Sequence, residues 1–292
     1  MCERRGGPRC HAEAGRTFHG LGSRWCLAEP FCVQEASSLF LFHAELDTHS
    51  PAHPIPPATP SPPADAYSTF LASRPQSLET SAISLVIRCA EKFPTLRTHI
   101  VHLSAASALP LIRATRAKGL PLSVETCFHY LVLSSEQIAK GDTLYKCCPP
   151  IREEVNRDAL WDALIQGDID FVVSDHSPCT VELKRLEDGD FMKAWGGIGG
   201  LGLGLSLLWT EASKRRVGMS KVLEWVAEKP ARQVRIEESK GSLKANADAD
   251  FVVFDPLVSF TVSLSSSRHT RAQADAESVA GQQVRASFQE PI

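Results

Sequence analysis

The sequence has no apolar run long enough to cross a membrane. Its longest uncharged apolar stretch, Ala194 to Thr210, has 17 residues, six of them glycine, whereas a spanning helix needs about 20 apolar residues. No apolar h-region stands near residue 1, which argues against secretion. Charge of one sign is also missing. Lys plus Arg is 31 against 34 for Asp plus Glu, a net charge of −3, so there is no basic footprint for a nucleic acid. Regular cysteine spacing is absent: nine cysteines, an odd count, fit the reduced thiols of an intracellular, cytoplasmic protein better than a disulfide framework. Five arginines in the first 24 residues, interrupted by Glu3 and Glu13, form a weak transit-peptide pattern. A mitochondrial or peroxisomal destination therefore stays open.

Composition divides the chain. Residues 1–37 are rich in Arg, Gly and Cys, show no sustained period and are expected to be poorly ordered. Residues 38–235 alternate strand and helix patterns, interrupted by a Pro-rich loop at 51–66. Seven of the 19 prolines fall between 51 and 63; proline lacks the backbone N–H, which excludes helix and central strand there. Residues 236–262 read as a small β element, with FVVFDP and VSFTV as two strands joined by a Pro turn. Residues 263–292 have little to bury and are expected to be disordered.

Within the ordered part, strands are expected at 37–42, 98–104, 121–126 and 169–174. Helices are expected from Ser77 to about Phe93, from Ser104 to about Lys118, and from Glu153 to Gln166. A capping-box spacing at Ser134 and Gln137 marks a short helix, and two more are expected near 203–215 and 220–229. Parallel strands separated by helices suit a barrel or a doubly wound sheet.

Three of the strands end in a residue able to bind metal: His43 after the first, His102 after the second, Asp175 after the fourth. Two imidazoles and a carboxylate at the C-terminal ends of barrel strands have the chemistry to hold zinc and activate water. The bland reading is that such histidines are hydrogen-bonded loop residues and that Asp175 caps a helix. His99, three residues before His102, is expected on the opposite face of the strand, in a structural role. Cys127-Phe128-His129 has no second pair to complete a zinc site. The vicinal Cys147 and Cys148 precede Pro149-Pro150, a constrained turn. The glycines of AWGGIGGLGLG (194–204) fit neither a Walker loop nor a dinucleotide fingerprint; they allow close approach of backbone to a ligand or a helix.

Several ordered blocks, LFHAEL (41–46), HIVHLSAASALPLI (99–112), VETCFHYLVLS (124–134), KCCPPIR (146–152), ALIQGDIDFVVSDHSPC (163–179) and FMKAWGGIGGLGLG (191–204), resemble the allantoinases, a family of metal-dependent cyclic amidohydrolases. The resemblance runs from about Leu41 to Val262 and ends in KGSLKANADADFVVFDP (240–256). It implies an α/β fold, an incomplete TIM-like barrel of the amidohydrolase type with part of a small β-sandwich. It implies hydrolysis of the ring amide of allantoin to allantoate, with two zinc ions as cofactor, a small-molecule substrate as partner, no nucleic acid or membrane, and room for a homo-oligomer. His43, His102 and Asp175 match metal ligands of the family, and Asp175 also matches its proton shuttle. Cys148, Gly196 and Gly197 match positions that face the substrate. Dihydropyrimidinases and dihydroorotases are the related alternatives, which the SDHSPC and AWGGIGG blocks disfavour. A non-catalytic remnant packing on an intact subunit is the alternative of another class. Two family features are missing: no His-x-His occurs anywhere, and the first lysine is Lys92, beyond the position of the bridging lysine. Four strand–helix units would have to precede His43, and 42 residues leave no room for them.

Overall fold

The computed structural model describes residues 38–46, 62–261 and the strand 283–288. The expectations for residues 1–37, for most of the Pro-rich loop and for the rest of the tail lie outside the described residues.

Four short strands form one parallel sheet in sequential order: β1 (Leu39–Phe42), β2 (Arg97–Ile100), β3 (Leu122–Cys127) and β4 (Phe171–Val173). Helices connect them. Between β1 and β2 lie α1 (Tyr67–Ser73) and α2 (Ser77–Lys92); between β2 and β3 a 3₁₀ turn (Ala106–Ala108) and α3 (Leu109–Ala117); between β3 and β4 the short α4 (Phe128–Val132) and α5 (Glu154–Gln166). After β4 come α6 (Val181–Lys184), α7 (Gly204–Lys214) and α8 (Met219–Leu223), which continues through a π turn at Glu224–Glu228 into α9 (Lys229–Gln233). Parallel order with a helix after each strand is that of part of a strand–helix barrel.

Local chemistry explains the elements. In α2, Leu78, Ala82, Ile83, Val86, Cys89 and Ala90 recur on one face and are buried. Gly167 closes α5 with φ +87° and Gly119 follows α3 with φ +77°, conformations in which a Cβ is penalised. The outward strand residues Ile100, Leu122, Val124 and Val172 are buried in one cluster with Ile83, Val86, Ile112 and Leu160. Trp161 and Trp225 meet edge to face at 6.2 Å in the same core.

Several expectations need correction. Ser77 begins its helix without capping it through its side chain. Ser104 does not cap a helix either: its hydroxyl donates to Pro150 O at 2.7 Å, and Glu79 accepts the Ser104 and Ala105 N–H groups instead. The Ser134–Gln137 segment forms only a 3₁₀ turn. The last helical segment runs on to Gln233, because the π turn absorbs the irregularity. Residues 251–262 hold one strand, β5 (Phe254–Thr261), rather than two. Its antiparallel partner is β6 (Gln283–Phe288), inside the tail expected to be disordered. The ladder skips between Asp255 and Ser259, so Pro256 sits where no paired N–H is required.

Candidate active site

The strand ends bring His43 and His102 together. His43 Nδ1 lies 2.8 Å from His102 Nε2, with ring centroids 4.6 Å apart. His43 Nε2 is 3.1 Å from Glu45 Oε2, and Arg74 Nη1 donates to the same oxygen at 2.8 Å. Burial pushes the Glu45 carboxyl up, but the His43 hydrogen bond and the Arg74 charge outweigh it and hold the group below its usual value. With Nε2–H committed to a carboxylate, an uncharged His43 ring presents Nδ1 as the acceptor, and His102 Nε2–H donates to it.

His102 owes its direction to its backbone. β2 ends at Ile100, and His102 has φ +42°. Strand alternation therefore stops before it, and the expected opposition of His99 and His102 does not follow. His99 pairs in register with Leu41 and Ser123 and so shares their face, which is also the face His43 continues. It is fully engaged there: Nε2 meets Glu125 Oε2 at 3.0 Å, Nδ1 meets Ser123 Oγ at 2.8 Å, and the ring stacks on Phe171.

Asp175 follows β4 with φ +44° and is exposed. It caps no helix, since α6 begins six residues later behind Thr180. Its carboxyl is nonetheless held above the ordinary aspartate value, by partial desolvation first and by the Glu125 carboxylate second, while His43 pulls it down. The next residues brace a neighbouring loop. His176 Nδ1 accepts the Gly200 N–H at 3.2 Å, and Ser177 exchanges bonds with Ile198, N–H to O at 3.0 Å and N–H to Oγ at 3.2 Å.

That loop carries the glycines. A Cβ on Gly196 would stand 2.9 Å from Cys148 Sγ, and one on Gly197 would stand 2.3 Å from Ser177 O. The two positions thus clamp the Cys148 turn to the Asp175 turn. Both peptide groups of Gly197 are engaged: its N–H donates to Lys146 O at 2.9 Å and its C=O accepts from Lys184. No hydrogen bond among the described residues engages the peptide groups of Cys148 or Gly196. The Cys148 thiol is pushed up by burial, against the pull of Arg74. Cys127 and His129 are buried; burial raises the Cys127 thiol well above its ordinary value and, with His102, lowers His129 to about 3.

The metal implied by the resemblance does not fit these residues as they stand. Two nitrogens on one tetrahedral zinc lie about 3.3 Å apart, from bond lengths of roughly 2.0–2.1 Å; His43 and His102 are closer and share a proton. Among the described residues no three of His, Cys, Asp and Glu gather closely enough to hold an ion. Glu45, Arg74, Lys146 and Lys184 complete the surroundings, and the sequence reading assigned them no role. Glu45, two residues after His43, was the one with a positional signal.

The family model described as the amidohydrolase family matches residues 72–285. The chain belongs to the amidohydrolase family. It is 46% identical over 236 residues to an allantoinase of Saccharomyces cerevisiae, covering 80% of this chain and 50% of that protein. A mitochondrial allantoinase of Aquarana catesbeiana is 47% identical over 212 residues, 73% of this chain and 42% of that one. Among solved structures, an L-hydantoinase (dihydropyrimidinase) from Arthrobacter aurescens superposes with a TM-score of 0.75 at 26% identity, covering 88% of this chain and 56% of that chain. The chain spans about half the length of the curated relatives it matches. The fold is thus α/β, an incomplete amidohydrolase barrel. No helix among the described residues is long and apolar enough to cross a membrane.

Proposed function

We propose that this chain carries the C-terminal half of an allantoinase-type active site, for opening the ring amide of allantoin to allantoate. One observation carries the reading: at the C-terminal ends of the strands the Cys148–Gly196 wall is tied through Ser177 to the Asp175 turn, while His43, paired with His102, is near enough to Asp175 to pull its proton affinity down. The closer identity to allantoinases than to hydantoinases supports allantoin as the substrate. In this reading Cys148 and Gly196 present peptide N–H and C=O groups to the ring, which is itself a cyclic array of the same groups. Gly197 supplies closeness rather than hydrogen bonds. Asp175 takes a proton from the attacking water and returns it to the ring nitrogen as the carbon–nitrogen bond breaks. An exposed carboxyl with a raised proton affinity suits that exchange better than one locked in an ion pair. Zinc is the cofactor proposed for a completed site only.

The test co-expresses the chain with the N-terminal half of the Saccharomyces cerevisiae allantoinase. Allantoate formation by the complemented protein, absent from the chain alone, is the expected result. Opening of dihydropyrimidine or dihydroorotate rings with no action on allantoin would overturn the substrate assignment. Absence of all three activities from a folded complex would favour the non-catalytic reading.

A further inference from the structure

Lys184 ends α6 with its side chain buried, 4% of the residue exposed. Its ammonium sits in a cage of carbonyl oxygens. It donates to Gly197 O, to Lys146 O at 3.1 Å, and to Leu144 O and Trp195 O at 3.4 Å each. Among the described residues no carboxylate lies within ion-pair distance of it. A buried charge is costly unless its donors are used and its field is answered. Here four peptide dipoles answer it. Burial, and to a lesser degree the neighbouring Lys146, holds its proton affinity below that of an ordinary lysine.

The cage is drawn from two separate stretches. Leu144 and Lys146 lead into the Cys147–Cys148 turn; Trp195 and Gly197 flank Gly196. Gly197 N–H donates to Lys146 O at 2.9 Å and joins the two stretches, and Trp195 N–H donates at 2.8 Å to Leu183 O, which ties the second stretch to the helix that carries Lys184. Lys146 adds a second buried ammonium of the same kind, on Ala194 O at 2.6 Å and Met192 O at 3.3 Å, over the Phe70 ring. Converging carbonyl oxygens repel one another unless a cation stands between them.

We propose that Lys184 is a positioning residue, a tethered cation that holds the Cys148 and Gly196 walls at their separation. The side chain does what a bound monovalent cation does in a ring of carbonyls, without a binding equilibrium. The functional importance of the wall rests on the reading that it faces the substrate; the clamp itself does not.

Hydrogen exchange on the full chain tests the clamp without turnover. Lys184→Met keeps the bulk of the side chain and removes the charge. The amides of Trp195 and Gly197 are expected to exchange at least about tenfold faster, the effect of losing one hydrogen bond to a charged group, while those of α5 stay unchanged. Wild-type exchange at Trp195 and Gly197 in a folded Lys184→Met protein would overturn the proposal. Lys184→Ala decides the matter if the Met variant unfolds. The atoms removed equal n-propylammonium, which is expected to restore protection, whereas 1-propanol, equal in length and uncharged, is not. An equal response to the two, or to neither, would also overturn it. If the wall loosens and allantoin turnover of the complemented protein does not change, the clamp stands and the substrate-facing reading of the wall fails.

Discussion

The Glu79 carboxylate and the Arg152 guanidinium meet at 2.7 Å, each with only 2% of its side chain exposed. Glu79 stands on α2 and Arg152 follows the Cys148–Pro149–Pro150 turn. The other oxygen of Glu79 accepts the N–H groups of Ser104 and Ala105 at 2.9 and 3.0 Å, two and three residues beyond His102. One buried pair therefore fixes both the exit of β2 and the chain that leaves the Cys148 turn. Breaking a buried pair by removing one partner leaves an uncompensated charge and costs about 3–5 kcal/mol. Glu79→Ala is expected to lose that much in urea unfolding. A loss below about 1 kcal/mol, the range of exposed pairs, would show that the pair does not hold this region.

Gly196 and Gly197 give a graded prediction. A Cβ at Gly197 meets the Ser177 carbonyl, backbone that cannot swing away; at Gly196 it meets a thiol, the end of a side chain that can; at Gly200 it meets nothing within 4 Å. Overpacking costs typically about 1–3 kcal/mol. Thermal midpoints are expected to rank Gly200→Ala highest, Gly196→Ala next and Gly197→Ala lowest. Equal midpoints for Gly197→Ala and Gly200→Ala would contradict the close approach.

Much of this was legible in the sequence where chemistry is local. Gly167 after a periodic segment stops α5 as expected, and the apolar runs mark all four strands of the parallel sheet. The strand ends pointed to His43 and His102 as candidate ligands, and the two rings lie side by side. What was hidden depends on tertiary partners. The left-handed turn at His102 cannot be read from alternation. Lys184 lies among charged residues in KRLEDGD and looks like a surface lysine, because nothing local announces a carbonyl cage. Pro256 looks like a turn unless a partner strand leaves its N–H position unpaired.

His129 makes stability depend on pH. It is buried on α4, its Nε2 meets no partner among the described residues, and its pKa falls from 6.5 to about 3 by burial first and by His102 second. Below pH 6.5 the unfolded chain takes up a proton that the folded chain refuses until about pH 3. The contribution of His129 is therefore fully present above 6.5 and is lost as pH falls toward 3. The slope is at most about 1.4 kcal/mol per pH unit. His129→Phe is expected to flatten the pH dependence of the urea midpoint in this window by up to one proton. Identical slopes for the variant and wild type would refute a buried, uncharged imidazole.

The last prediction concerns Asp175 in the complemented protein. A helix-cap role would make Asp175→Asn a stability change of about 1 kcal/mol or less with little effect on turnover, since Asn caps as well as Asp. The structure removes that role, because the helix that follows begins behind Thr180. It also removes the objection that Asn would disturb the turn. At φ +44° Asn and Asp are the side chains best tolerated outside glycine. The substitution thus leaves backbone and shape in place and removes the charge, and with it the capacity to accept and return a proton. General acid–base assistance is worth roughly 10²- to 10⁴-fold, so allantoate formation is expected to fall at least about a hundredfold with the thermal midpoint preserved. His176→Gln is expected to be milder, because His176 contributes a brace to Gly200. If Asp175→Asn keeps more than about a tenth of the turnover, the loss is too small for the general base, and the proton must travel by another group.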